Sequence, residues 1–202
     1  MLPTTVLARV SNALRKLAIA SSPNLGHDCY LHMELGRALL AELGFQTDPV
    51  LGFSAWRVGD ADGDVIAHLP FGDAAHAPPG VKAFPYHAWL SWRAYFIDFT
   101  TYQLPLKAKE LDAGDGGRTN VMWCPDFLLL PVGETRTYRQ VLMDVRPGVT
   151  FYEARPELKA SLGSKSGPDP EALRVARILM VNPDVVVLGP NSGRNRGQRH
   201  IS

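Results

Sequence analysis

Two helix-forming segments precede a series of strand-like segments, and this order constrains the fold of the chain more than any other feature of its sequence. Over residues 4–20, apolar residues recur at spacings of one, three and four, as they do on one face of an amphipathic helix. A second helix is predicted over about 29–43, where Gly44 ends it. Helices placed ahead of a run of strands are typical of the α+β class.

The segments predicted to be strands alternate with short turn signals. They lie at 50–58, 64–69, 83–92, 94–100, 127–132, 140–145, 149–153 and 184–188, and a late helix is predicted over 170–180. The stretches 73–80 and 112–119 are predicted to be loops, the second of them mobile. We therefore expect one α+β domain over 1–188, with N-terminal helices packed on a mostly antiparallel sheet. Residues 189–202 are predicted to form a flexible basic tail.

Cys29 is the first candidate for a functional residue, because it begins the second predicted helix. The aligned peptide dipoles at a helix N-terminus favour the thiolate and lower the pKa of a cysteine there. Asp28 is predicted to be the N-cap of this helix. Gly36 lies on the same apolar face as Cys29 and costs a helix interior about 1 kcal/mol relative to alanine. It therefore predicts a close approach of the helix to the sheet.

A histidine and a carboxylate lie on two strands that follow. His87 stands among apolar and aromatic residues, and so does Asp98, although a buried carboxylate needs a partner. A hairpin that turns near Arg93 would place the two on adjacent strands. With Cys29 as nucleophile, His87 as base and Asp98 as the group that orients the imidazole, the three form a candidate triad for acyl chemistry.

Other residues are predicted to complete the site. The backbone N–H of Cys29 is the predicted donor to an oxyanion, and the side chain of Asn24 is a second candidate, although a simple turn role for Asn24 stays open. His27, Trp56 and Trp89 are candidates for the pocket lining, and core packing is the alternative for the tryptophans. No spacing of histidines, cysteines and acidic residues suggests a metal site, and we expect no cofactor.

Composition narrows the setting and the partners. The net charge of +1 gives no reason to expect nucleic acid or an anionic membrane, and the basic residues of the tail, with Arg194, Arg196 and Arg199 among them, are a minor alternative. Two cysteines, no evident signal peptide and no apolar run long enough to span a bilayer predict a cytoplasmic protein. The expected partner is a small-molecule, peptide or acyl substrate, and the oligomeric state stays open.

The candidate site resembles that of the papain-like, transglutaminase-like cysteine-proteinase fold. Residues 26–30 and 39–45 resemble the cysteine helix of transglutaminase-like proteins and arylamine N-acetyltransferases, which begins at the nucleophile and ends in a similar Leu-Gly-Phe. Residues 87–89 resemble the His-Ala-Trp strand of these families, and 97–100 resemble the strand end that carries their aspartate. The resemblance covers about 24–102 and is strongest to a family of uncharacterised bacterial proteins with this fold.

This resemblance implies a fold and a triad of Cys29, His87 and Asp98, but no substrate. The Arg-Gly-Gly that precedes the cysteine of the acetyltransferases is absent, and Phe99 stands where transglutaminases have proline, so neither acetyl-CoA use nor glutamine cross-linking is implied. We expect hydrolysis of amide, isopeptide or thioester-type acyl substrates. Acyl transfer to an amine and a catalytically inactive binding protein on the same fold are the alternatives.

Overall fold

The computed structural model describes residues 2–70, 82–161 and 167–192, so the predicted loop at 73–80 and the tail residues 193–202 lie outside it. Its α-helices are Thr4–Ser21 (α1), Cys29–Glu42 (α2), Leu104–Asp115 (α3), Tyr138–Met143 (α4), Pro156–Ser161 (α5) and Pro170–Val181 (α6). Its strands are Asp48–Arg57 (β1), Val65–His68 (β2), Lys82–Phe84 (β3), His87–Trp92 (β4), Tyr95–Asp98 (β5), Leu128–Pro131 (β6) and Thr150–Ala154 (β7). A 3-10 turn, Thr101–Gln103, leads from β5 into α3.

Within the described residues the strands form a seven-stranded sheet with β1 at its centre. The order is β3-β2-β1-β4-β5-β6, and β7 also pairs with β1. All of these pairs are antiparallel except β2–β3, which is parallel. The chain is thus of the α+β class with a mostly antiparallel sheet, as its sequence predicts.

The larger core lies between the sheet and three helices, because α2 packs on β4 and β1 while α1 and α6 pack on α2 and on each other. Its buried side chains include Leu7, Val10, Leu14, Met33, Leu40, Leu90, Ile97, Phe99 and Leu179. The close approach predicted at Gly36 is present, since a Cβ placed there would lie 2.7 Å from Cε2 of Phe99. Any side chain at residue 36 would therefore require α2 or the Phe99 ring to move.

A smaller core contains aromatic side chains from β1, β4 and β7 and the apolar face of α3. Trp56, Trp89 and Tyr152 pack there with Leu104 and Ala108. The sequence does not predict helix α3 and instead predicts a mobile loop over 112–119. In the structure α3 continues to Asp115, and the N–H and Oγ1 of Thr119 donate to Asp112 at 2.9 Å.

Three of the predicted strands differ in the structure. The stretch 140–145 belongs largely to α4, because Thr137 and Gln140 form a reciprocal capping box that starts a helix at Tyr138. The stretch 184–188 is not a strand, and Val186 and Leu188 are exposed. The stretch 83–92 contains two strands, β3 and β4, since Pro85 interrupts it.

The start of the predicted tail is attached to the fold. The N–H of Asn191 donates to the carbonyl oxygen of Ala20 at 3.0 Å, and its side-chain amide donates to that of Ser22 at 2.8 Å. Residues 189–192 therefore belong to the packed structure at the end of α1, whereas the sequence predicts flexibility from 189. No helix in the described part of the chain is long and apolar enough to cross a membrane.

Candidate active site

Cys29 is the first residue of α2 and is 4% exposed. The turn before it depends on Gly26, whose φ of 103° is one that residues with a side chain rarely adopt. The N–H of His27 donates to the carbonyl oxygen of Asn24 at 2.9 Å and closes this turn. The thiol is therefore held at a helix N-terminus that packs against β4.

His87 and Asp98 come together across the β4–β5 hairpin. Arg93 turns this hairpin with a positive φ of 54°, and Leu90 is paired with Ile97. In this register Asp98 is a diagonal neighbour of His87 on the same face of the sheet. Nε2 of His87 lies 2.8 Å from Oδ2 of Asp98, and both side chains are at most 1% exposed.

Asp98 is held as a carboxylate by four hydrogen bonds. Oδ2 accepts from His87 and from the hydroxyl of Tyr152, and Oδ1 accepts from the N–H and the hydroxyl of Thr100, all at 2.8 Å. Burial by itself raises the pKa of Asp98. The charge and hydrogen bond of His87 and the two bonds from Thr100 outweigh burial and lower that pKa well below its usual range.

His87 and Cys29 favour each other's charged forms. Burial lowers the pKa of His87, but attraction to Asp98 and to Cys29 outweighs burial and raises it. Burial likewise raises the pKa of Cys29, but the interactions with His87, with Lys107 and with the backbone N–H of Ala88 outweigh it and lower that pKa. The arrangement therefore favours a thiolate beside an imidazolium.

The second ring nitrogen of His87 is the one available to the thiol. Asp98 occupies Nε2, while Nδ1 has no hydrogen-bond partner of regular geometry among the described residues. Because the hydrogen bond to Asp98 fixes the ring, Nδ1 is the atom that can exchange a proton with Cys29. The thiol, the imidazole and the carboxylate thus follow one another in the order of the predicted triad.

Trp56 and Trp89 pack directly on His87. The Trp56 ring meets the imidazole edge-on with centroids 4.9 Å apart, and the Trp89 ring stacks on it at 5.9 Å. Both tryptophans are 1% exposed, so core packing describes them better than the pocket lining predicted as the other reading. Their effect on the site is to exclude water from the base.

The first turn of α2 is fastened to the 3-10 turn by polar bonds. Nε2 of Gln103 donates to Oδ1 of Asp28 at 2.8 Å and to the hydroxyl of Tyr102 at 3.0 Å. His32 completes the network, since Nδ1 bonds the Asp28 carbonyl oxygen and Nε2 bonds the Tyr102 hydroxyl. Asp28 is the N-cap residue of α2, as predicted, but its side chain makes no capping bond. Its carboxylate instead joins the start of α2 to the 3-10 turn that follows β5.

Asn24 and His27 lie at the edge of the site. Asn24 is exposed, and the bond between its carbonyl oxygen and His27 gives it the turn role that the sequence left open. His27 is directed to the surface of α3, where Nε2 lies 2.7 Å from a carboxylate oxygen of Glu110. The polar contacts of these residues therefore support the turn before Cys29.

Several residues of the site are not predicted from the sequence. The candidate triad is surrounded by five such residues, Thr100, Gln103, Tyr152, Lys107 and His68. A signal for Lys107 exists, because it shares one helical face with Leu104, Ala108 and Leu111 and so is a lysine on an apolar stripe. Tyr152 carries no such signal, since only the pairing of β7 with β1 brings it to Asp98.

Within the described ranges, no group of three or more histidine, cysteine or acidic side chains could hold a metal ion.

Comparison with known proteins extends only to the fold. No family model matches the chain, and no curated protein matches it. Among solved structures it is similar to "The crystal structure of genomics APC5867", with 16% sequence identity and a TM-score of 0.56 over 95% of this chain and 83% of that one. That description states no activity, and at this identity the likeness indicates a shared fold alone.

Proposed function

We propose that the chain is a cysteine-dependent hydrolase of the papain-like, transglutaminase-like fold, acting on amide, isopeptide or thioester-type acyl substrates. The observation that carries the proposal is the fully buried His87–Asp98 pair beside Cys29 at the start of α2. A buried ion pair can cost more in desolvation than its attraction returns, so its presence calls for an explanation. A nucleophile that must be deprotonated beside its base supplies such an explanation.

In the first step the Cys29 sulfur attacks the acyl carbon, and the carbonyl π electrons move to oxygen. The backbone N–H of Cys29 and its neighbours in the first turn are unpaired within the helix and are the proposed donors to this oxyanion. As the tetrahedral intermediate collapses, the bond to the leaving nitrogen or sulfur breaks. The leaving group takes the proton from His87, and the acyl group remains on Cys29 as a thioester.

In the second step water attacks the thioester while His87 accepts its proton. Collapse breaks the C–S bond, releases the carboxylic acid and returns the sulfur as thiolate beside imidazolium. Asp98 holds the imidazole in one orientation through both steps. An amine in place of water would give acyl transfer by the same steps, which is the runner-up activity.

The burial of Cys29 favours the rival proposal, a binding protein that keeps the fold without the chemistry. At 4% exposure the thiol is as buried as an ordinary core cysteine. In that case His87–Asp98 would be a structural pair, and Cys29 would be unreactive. Reactivity of the thiol is therefore the property that separates the two proposals.

The deciding experiment is alkylation by iodoacetamide as a function of pH, read peptide by peptide with mass spectrometry. Cys124 is exposed and serves as the internal control in every sample. We expect Cys29 to be alkylated faster than Cys124 below about pH 7, since only the thiolate reacts. His87→Ala should abolish that advantage and leave Cys124 unchanged. Slow alkylation of Cys29 with an ordinary pH profile in both proteins would overturn the enzyme proposal.

A further inference from the structure

A buried lysine stands beside the candidate triad. Lys107 of α3 is 1% exposed, although lysine is almost never fully buried without partners. Its Nζ lies 3.0 Å from Nε2 of His68 and 5.5 Å from the ring centroid of Trp56. A Cβ placed at Gly26 would lie 4.0 Å from Cγ of Lys107, so the lysine stem runs under the turn that leads to Cys29.

His68 links this lysine to the base of the triad. Nδ1 of His68 bonds the carbonyl oxygen of Tyr86, so Nδ1 carries the proton and the lone pair of Nε2 accepts from the Lys107 ammonium. Burial lowers the pKa of His68, and the nearby charges of Lys107 and His87 lower it further. His68 is thus a neutral imidazole that accepts a hydrogen bond from the Lys107 ammonium. Its ring centroid is 4.8 Å from that of His87.

We propose that Lys107 is a positioning residue of this site, whose buried ammonium, held by His68 and Trp56, keeps the Cys29 sulfur anionic and offsets the negative charge of the oxyanion. The inference rests on the proposed function, because it takes Cys29 to be the nucleophile. It gives α3 a role in the proposed reaction, although α3 lies outside the segment that resembles known cysteine enzymes.

The balance of buried charge supports this assignment. With His87 protonated, the centre holds one cation against two anions, the Cys29 thiolate and the Asp98 carboxylate. The Lys107 ammonium supplies a second cation to balance the two anions of the triad, which low-dielectric surroundings favour. The Lys107 ammonium also remains charged after His87 has given its proton to the leaving group.

The groups that face Lys107 come from several elements. They include Cys29 on α2, Asp28 just before it, His68 on β2, Asp98 on β5 and Glu110 on α3 itself. Burial lowers the pKa of Lys107, and attraction to the thiolate and the carboxylates offsets part of that effect. Besides His87 and Lys107, Cys29 interacts with Tyr86. Among these described neighbours of the sulfur, His87 and Lys107 are the two that can carry a positive charge.

The first test compares Lys107→Met with Lys107→Arg in the alkylation experiment. Methionine has a stem of similar length without charge, whereas arginine keeps the charge. We expect the rate at about pH 6 to fall about tenfold or more in Lys107→Met and to return most of the way to the wild-type rate in Lys107→Arg. A lysine that serves only to fill the core would change stability but leave the pH midpoint of Cys29 where it is.

The second test uses the folded chain without changing Lys107, in case Lys107→Met does not fold. The lysine side chains are titrated by NMR in the wild type and in Cys29→Ala. Since the coupling between two charges is reciprocal, removal of the thiolate should lower the pKa of Lys107. An unchanged Lys107 titration, or an unchanged Cys29 midpoint in folded Lys107→Met, would overturn the inference.

These outcomes are distinct from failure of the proposed function. If His87→Ala raises the pH midpoint of Cys29 and Lys107→Met does not, the triad stands and the role of Lys107 falls. If the wild-type thiol itself titrates ordinarily and ignores His87→Ala, the proposed function and the inference that rests on it both fall.

Discussion

At the scale of the residue, Asp98 is the most completely satisfied group of the site. Its two oxygens accept four hydrogen bonds from three residues, although the side chain is only 1% exposed. Charge-assisted bonds of this kind stabilise the ionised form, so the protonation of Asp98 is coupled to folding. Its pKa is lowered in the folded state, and the stability it contributes is therefore present above its unfolded pKa and lost as the pH falls.

Asp98→Asn should accordingly destabilise the protein most near neutral pH. We expect a loss of about 2 to 3 kcal/mol in the free energy of unfolding at about pH 7, shrinking as the pH falls through about 4, where unfolded aspartate is protonated. Urea unfolding at a series of pH values measures this. Asp60→Asn, at an exposed position, is the control and should differ little from wild type at any pH. A penalty for Asp98→Asn that stays constant with pH would contradict the coupling.

Tyr152 of β7 stabilises the Asp98 carboxylate by a hydrogen bond. Its hydroxyl donates to Oδ2 of Asp98 and accepts from Nε1 of Trp56, both at 2.8 Å. Tyr152→Phe leaves a buried indole N–H without a partner, so we expect a loss of about 1 to 3 kcal/mol in urea unfolding. Tyr138→Phe is the matched control, because the buried Tyr138 hydroxyl has no partner in the described structure. Equal effects of the two substitutions would show that the Tyr152 bonds contribute nothing.

At the scale of the element, the position of α2 sets the height of the thiol above the sheet. Gly36 lets the helix touch Phe99, the residue after β5, and the Asp28–Gln103 bond fastens its first turn to the 3-10 turn. Both contacts join α2 to the segment that follows Asp98. The helix that carries Cys29 is therefore attached at two points to the segment that follows Asp98.

Gly36→Ala should lower stability although alanine is the better helix former. The added Cβ would lie 2.7 Å from the Phe99 ring, and relief requires α2 or the ring to move. We expect a loss of about 1 to 3 kcal/mol in thermal or urea unfolding, together with slower alkylation of Cys29. Gly114→Ala in α3, where a Cβ meets nothing within 4 Å, should instead stabilise the protein by up to about 1 kcal/mol. A stabilising Gly36→Ala would show that the helix adjusts freely.

Local signals in the sequence predict the elements that carry Cys29, His87 and Asp98. The turn at Gly26, the apolar face of α2 and the hairpin at Arg93 each depend on residues close together in the chain. The prediction for 140–145 is wrong, because its apolar residues suit a strand whereas a capping box that begins at Thr137, before the stretch, starts a helix. Partners from distant segments, Lys107 and Tyr152 above all, depend on tertiary packing that no local pattern records.

At the scale of the whole molecule, the site draws on segments from one end of the domain to the other. Cys29 lies in the N-terminal helices, His87 and Asp98 in the central hairpin, and Tyr152 in β7, 96 residues after the Trp56 to which it is bonded. Because these contacts join most parts of the sheet, the low-pH reactivity of Cys29 should be a property of the entire fold. A partly folded domain would lack the base or its support.

We therefore expect the fast alkylation of Cys29 to disappear in urea together with the circular dichroism of the fold, in one transition. Cys124 provides the comparison, since it is exposed in the folded chain and its alkylation should not follow the transition. Loss of fast alkylation at a lower urea concentration than the loss of secondary structure would show that the site opens independently of the domain.

The late position of β7 also has a consequence during protein synthesis. Strand β7 adds to β1 only after residues 150–154 have emerged from the ribosome, roughly a hundred residues after its partner strand. Until then Asp98 lacks one of its donors, and the nascent chain carries a cysteine without its finished surroundings. If Cys29 is the nucleophile that we propose, its thiol would reach its finished surroundings only after β7 has paired with β1.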